Sequence, residues 1–287
     1  MSRSGAAVGL KDRALLTALR AVPRHALSRA VGEAASWAQP APLARLAVRG
    51  FARRYRLDLG EADRSLAEYR TVRELFTRRL RPGARPVAAG AGVPVSPADG
   101  RIYQVGIATA GKLVQAKGLD YTLADLLADG RDAAAFEGGA YLAVYLSPHD
   151  YHRVHAPLGG DVTGFAYVPG ELWPVNPASV ATVPRLFARN ERLVTQLLTP
   201  VGRCAVVMVG ATVVGLLHAC FDAEATAGRL ARKVTYDRPR PIEKGAELGV
   251  FDMGSTVICC FEPGRVTLDS ALAPGSAVRV GGAVGRG

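Results

Sequence analysis

The stretch CAVVMVGATVVGLLHACF, from Cys204 to Phe221, is the most apolar run of the chain. It is near the shortest length that crosses a bilayer as a helix. Its composition argues for two buried strands instead. Val206, Val207, Val209, Val213 and Val214 are β-branched and favour extended backbone. Gly210 and Gly215 would weaken a helix, and His218 would sit in the hydrocarbon. The chain is therefore expected to carry no transmembrane segment. No signal peptide is expected either, because Arg20 interrupts the first apolar stretch, Ala14 to Val22.

Outward from this run, similar segments recur at short intervals between turn residues. Strands are expected at Arg101–Ile107, Tyr141–Leu146, Gly160–Val168, Val206–Val209, Thr212–Leu217, Glu247–Phe251 and Thr256–Phe261. Short helices are expected near Thr122–Leu127 and Val183–Ala188. Such spacing favours antiparallel or mixed β structure over βαβ units. The N-terminal part reads differently. Apolar residues recur at helical spacing over about 10–22, 24–37 and 42–56, with Arg45, Arg49, Arg53, Arg54 and Arg56 interleaved in the third segment. A fourth helix opens at Thr71, with Glu74 completing a capping box, and runs to about Leu80. The fold class is thus α+β: a mainly antiparallel or mixed β body behind N-terminal amphipathic helices. Residues 81–97, rich in Pro, Gly and Ala, read as a linker or a meandering entry into a second domain.

Charge follows the same division. Residues 1–90 hold 18 Lys and Arg against 7 Asp and Glu, whereas 91–287 hold 18 of each. The whole net charge of +11 thus sits on the helical part, the footprint of a protein that meets a polyanion. Arg-rich amphipathic helices suit an anionic membrane interface. The expected domains are 1–90, a basic membrane-contacting segment, and 91–287, the catalytic body. The cysteines, Cys204, Cys220, Cys259 and Cys260, form no CxxC pair and no disulfide framework.

Three features can carry chemistry. Three of the five histidines fall in His149-Asp150-Tyr151-His152-Arg153-Val154-His155. No further ligand lies at metal-site spacing, so no metal is expected and a proton-carrying role competes with an ordinary structural one. Pro97-Ala98-Asp99-Gly100 is, locally, a turn. Met253-Gly254-Ser255-Thr256 is also turn-like, yet a Gly-Ser bond is one at which a chain can cut itself. The glycine carbonyl is unhindered, and the serine hydroxyl can attack it to convert amide into ester. Loss of the serine Cα–H then expels the ester and leaves dehydroalanine, which hydrolyses to a pyruvoyl cap. The attack needs a base and a group to orient it. Asp99, one histidine of 149–155 and Ser255 can supply that set.

In order along the chain, several segments together resemble the phosphatidylserine decarboxylases of the bacterial membrane-associated type. They are Tyr69-Arg70-Thr71 with Phe76 and Arg78; Pro97-Ala98-Asp99-Gly100; Gln115-Ala116-Lys117-Gly118 with Tyr121 and Leu126-Leu127; and Tyr145-Leu146-Ser147-Pro148 leading into Asp150-Tyr151-His152-Arg153-Val154-His155. Val168-Pro169-Gly170, Leu186-Phe187-Ala188-Arg189-Asn190-Glu191-Arg192, Val209-Gly210-Ala211-Thr212 and Gly254-Ser255-Thr256 follow. Met253 stands where the family usually has Leu, and Pro177 where some members carry His.

The resemblance implies cleavage between Gly254 and Ser255 into chains 1–254 and 255–287, with Ser255 becoming a covalent pyruvoyl group. His155 is then the base of the cleavage triad, Asp99 orients it, and His152 serves decarboxylation. The pyruvoyl carbonyl forms a Schiff base with the serine amine of phosphatidylserine and takes the electrons released with carbon dioxide, leaving phosphatidylethanolamine. The implied location is peripheral, on the cytoplasmic side of the cell membrane. The implied partners are phosphatidylserine, an anionic membrane surface and the protein's own two chains; a homodimer is left open and no nucleic acid is expected. The rival readings are an Asp–His–Ser hydrolase, although no Gly-x-Ser-x-Gly elbow surrounds Ser255, a basic nucleic-acid or membrane module without activity, and a pyruvoyl enzyme acting on a soluble amino acid.

Overall fold

A computed structural model describes residues 24–116, 119–212, 217–252 and 255–287, with Ser255 described through its backbone alone. The expected helix over 10–22 lies outside the described residues. The strands are β1 (Gly100–Ile107), β2 (Lys112–Ala116), β3 (Leu119–Thr122), β4 (Ala140–Leu146), β5 (Arg153–His155), β6 (Gly160–Val168), β7 (Arg192–Thr199), β8 (Gly202–Val209), β9 (Leu217–Ala219), β10 (Arg232–Ile242), β11 (Glu247–Phe251), β12 (Ser255–Phe261), β13 (Thr267–Leu268), β14 (Ala277–Val278) and β15 (Gly285–Arg286). An eight-stranded sheet runs β10-β6-β7-β8-β12-β4-β1-β14, and a three-stranded sheet runs β5-β11-β9. Their ladders are antiparallel.

The apolar run has a simple cause. The large sheet is covered on both faces, so its central strands are apolar at every position rather than at alternate ones. Along β8, Cys204, Val206 and Met208 enter one core with Val257, Cys259 and Phe261 of β12, which also takes Leu217, Leu248 and Phe251 of the small sheet. Ala205, Val207 and Val209 enter the opposite core with Ile258 and Cys260. That second core is closed by Leu123, Leu126 and Leu127 of helix Leu123–Leu127 and by Leu186 and Phe187 of helix Leu186–Arg189. Burying one such side chain contributes about 1.5–3 kcal/mol. Of the second expected strand, Thr212–Leu217, Thr212 is a turn residue and Leu217 opens β9, while 213–216 lie outside the described residues.

The N-terminal helices are α1 (Arg24–Ala35), α2 (Ala41–Tyr55) and α3 (Val72–Phe76). α2 buries Ala44, Val48 and Ala52, one turn apart, in a small core with Tyr69 and Leu75. Phe51 packs against that core, but the helix's two leucines face the other way: Leu43 and Leu46 are 51% and 65% exposed, and Trp37 between the helices is 52% exposed. Thr71 caps α3 by accepting from the Glu74 N–H, but the helix ends at Phe76 rather than near Leu80. Glu74 returns its carboxylate to the Arg70 N–H, not to Thr71, so only half of the expected box forms. Residues 81–97 have no long element, as expected of a connection, yet they pack on the body: Val95 bridges Ala283, and Ala88 donates to the Gly281 carbonyl.

Candidate active site

The two sheets bring the three sequence features together. Ser255 opens β12 opposite Leu146, the last residue of β4. From Leu146 the chain turns through Ser147 and Asp150, whose carboxylate accepts the Ser147 N–H at 2.7 Å, and reaches His152 within six residues. On the other side of the Gly-Ser bond, the Phe251 N–H donates to the His152 carbonyl at 3.0 Å. The residues flanking 252–254 are thus fastened to the two ends of the histidine loop. The turn holding Asp99 is joined to the same place, because the His155 N–H donates to the Pro97 carbonyl at 2.8 Å. Gly100 is more than a turn residue here. A Cβ on it would lie 2.2 Å from the Tyr145 carbonyl oxygen, so glycine lets β1 start against β4.

His152 is fully buried, and its ring stacks on Phe76 of α3 with 3.8 Å between centroids. Nδ1 lies 2.9 Å from the Asp150 carbonyl, which can only accept, so Nδ1 carries the proton. Nε2 presents a lone pair that has no partner among the described residues. Burial, reinforced by the Arg78 charge, pushes its pKa down to about 3, so it is neutral near pH 7. His155 likewise donates from Nδ1, to the Gly245 carbonyl at 2.7 Å, and its Nε2 accepts from the Tyr151 hydroxyl at 3.2 Å. Burial holds His155 below the usual imidazole range as well.

Asp99 is close to His155, though its carboxylate bonds elsewhere. It takes Arg85 in a bidentate pair, Nε at 2.9 Å and Nη2 at 2.5 Å, and also the Val280 N–H at 2.8 Å. Its charge reaches the His155 ring and favours the protonated imidazole. Sequence reasoning named Asp99, His152, His155 and Ser255 but not Arg85, Tyr151 or Arg73. Arg73 of α3 bonds Asp252 at 2.5 Å, two residues before Gly254. Arg85 lies in the presumed linker, where only its cationic type could have flagged it. A cavity of about 630 Å³ adjoins this cluster, lined by Ser28 and Gly32 of α1, by Ser36 just after it, and by Arg73, Arg229 and Asp252.

A family model for phosphatidylserine decarboxylase matches residues 72–286. The chain belongs to the phosphatidylserine decarboxylase family. A phosphatidylserine decarboxylase proenzyme of Anaeromyxobacter sp. (strain K) is 56% identical over 280 residues, covering 96% of this chain and 99% of that protein. One of Myxococcus xanthus (strain DK1622) is 50% identical over 277 residues, with the same coverage. One of Pseudomonas aeruginosa (strain LESB58) is 43% identical over 285 residues, covering 96% and 97%. Membership makes the chain a carboxy-lyase and supports the decarboxylase reading, not the external-ester hydrolase.

Proposed function

We propose that this chain is the proenzyme of a decarboxylase that cuts itself between Gly254 and Ser255 and then converts phosphatidylserine to phosphatidylethanolamine. The observation that carries this is the tethering of both flanks of the Gly-Ser bond to the histidine loop, in a chain of this family. For cleavage, His155 Nε2 releases the Tyr151 hydroxyl and takes the proton from Ser255 Oγ as that oxygen attacks the Gly254 carbonyl. Asp99 steadies the turn under His155 and stabilises the imidazolium by its charge. The resulting ester breaks as the Ser255 Cα–H is lost, Gly254 leaves as a carboxylate, and hydrolysis with loss of ammonia leaves the pyruvoyl cap.

The residues present fit such a cap. One buried polar atom of the histidine loop, His152 Nε2, has no partner among the described residues and is available to such a cap. The pyruvoyl group, once made, supplies an electron sink for the bond to the departing carboxylate. His152 can exchange a proton with substrate only through Nε2, since Nδ1 is committed: Nε2 takes the proton that the substrate's amine gives up and returns it to the carbon that carbon dioxide leaves.

Among the described residues no helix is long and apolar enough to cross a membrane. Contact with an anionic, cytoplasmic-side membrane surface falls instead to Trp37, Leu43 and Leu46, with Arg45, Arg49, Arg53 and Arg54 around them. The cavity lined by α1 also has Asp252 in its wall. The functional division at residue 90 belongs to this proposal, with α3 at the border. The deciding experiment is an intact-mass measurement. Two chains, 1–254 and a 255–287 fragment blocked to Edman sequencing, are expected, while Ser255→Ala stays whole. Efficient splitting of Ser255→Ala would refute the mechanism.

A further inference from the structure

Arg78 lies just beyond α3 and is 4% exposed. Its Nη2 donates to the His149 carbonyl at 3.0 Å, but Nε and Nη1 are buried without a partner among the described residues. A buried guanidinium is ordinarily matched by a carboxylate, because removing its charge from water is costly. The carboxylates whose charges reach Arg78 most strongly, Asp99 and Asp150, are engaged elsewhere. Asp99 is held by Arg85 and the Val280 N–H. Asp150 accepts from the Ser147 N–H and faces His149 at 3.4 Å. Burial accordingly pulls Arg78 below the usual arginine range. A fixed cation with two unused N–H donors thus stands within electrostatic reach of His152, whose Nε2 is also unused.

We propose that Arg78 binds an oxyanion of the substrate's serine phosphodiester headgroup, carboxylate or phosphate, through Nε and Nη1. The substrate is then the missing anion of this pocket, and Arg78 sets which headgroups enter beside His152. This inference rests on the decarboxylase reading above. A headgroup that presents no oxyanion there leaves the guanidinium buried and unmatched, so the pocket rejects it.

The test uses full-length Arg78→Gln and Arg78→Lys, with maturation scored by intact mass. With matured enzyme on short-chain phosphatidylserine, Arg78→Gln raises KM about tenfold or more, the worth of a charged hydrogen bond, with a smaller effect on kcat. Arg78→Lys recovers part of the loss. Inhibition by glycerophosphoethanolamine, which keeps the phosphate and lacks the carboxylate, separates the two sources. A matching loss of inhibition assigns the phosphate, and unchanged inhibition beside the raised KM assigns the carboxylate. KM within twofold of wild type in Arg78→Gln overturns the proposal, as do folded variants whose only defect is failure to split. A measurement with residue 78 intact covers the case of a variant that does not fold. Crystals of matured wild type are grown with glycerophosphoethanolamine and with glycerophosphoglycerate, whose hydroxyl in place of the amine prevents reaction. An oxyanion within about 3.2 Å of Nε or Nη1 supports the inference, and anionic groups bound elsewhere in both complexes refute it. A wild type that neither splits nor releases carbon dioxide fails the decarboxylase reading itself, whereas an active wild type with an indifferent Arg78→Gln fails only this one.

Discussion

Lowering the pH tests the state of His152 through stability, independently of catalysis. Its pKa is pushed down to about 3 in the folded chain, against 6.5 for an unperturbed imidazole. The unfolded chain therefore binds the extra proton between those values, so stability falls as pH drops through 6.5 and levels off near 3. The full difference is roughly 5 kcal/mol, of which about 2 kcal/mol is lost between pH 7 and pH 5. The assay is urea unfolding of the unsplit Ser255→Ala protein at several pH values, beside the same protein with His152→Gln. Glutamine does not titrate, so the second curve should fall less steeply by about 2 kcal/mol over that window. Loss of the Phe76 stack shifts the whole second curve down and leaves its slope alone. Equal slopes would refute the burial argument and the neutral Nε2 on which the role of His152 depends.

Other expectations follow from the same geometry. Asp99→Ala and His155→Ala should slow splitting at least about 100-fold in a gel-based chase, whereas His152→Ala should split and then release little carbon dioxide; the reverse pattern would exchange the two histidines. Reversing Arg45, Arg49, Arg53 and Arg54 removes about 4 kcal/mol of attraction to an anionic surface and should abolish most co-sedimentation with anionic liposomes while splitting persists. Unchanged sedimentation would make these arginines a solvated face. Gly100→Ala forces a methyl into the Tyr145 carbonyl and should lower the melting temperature by several degrees and delay maturation.

The parts legible in the sequence are those whose burial is uniform along a segment. β8 and β12 read as strands because neighbours cover both of their faces, and β6 matched its expected limits, Gly160–Val168. β10 was not foreseen. It is an end strand of the large sheet, most of its residues are exposed, and Pro239 and Pro241 give it the composition of a loop, which an edge strand tolerates. α3 fell short of its expected end because Arg153 takes the Thr77 and Arg78 carbonyls that a longer helix would have used. At the candidate site, the residues proposed to carry protons were picked out by type and order alone. Their partners were not, because Arg85 meets Asp99, Arg153 meets Glu247 and Arg73 meets Asp252 across 14, 94 and 179 residues of chain. Long-range pairing of ordinary arginines leaves no local trace.

The position of the proposed cut relative to the sheet explains how a severed chain would keep a working site. β12 lies between β4 and β8, with ladder partners on both sides from Thr256 to Cys260. Its side chains enter both cores, so the fragment beginning at Ser255 is held by central packing rather than by the peptide bond that breaks. The rest of the fragment is tied as well. Val280 donates to Asp99, Ala283 bridges Val95, and β14 pairs with β1. The proposed small chain would thus supply a hydrogen bond to Asp99, the residue proposed to steady His155. A new terminus at the first residue of a central strand is also a fixed one. Leu146 sets its position across the ladder, and the next residues back toward His152 are set by the same loop. The proposed reacting group is thereby held by buried β structure, whereas α2, the helix proposed to meet the lipid, packs on a small core of its own with Tyr69 and Leu75. This division lets the surface contacts change without moving the chemistry, and charge reversal on α2 is expected to spare self-cleavage for that reason.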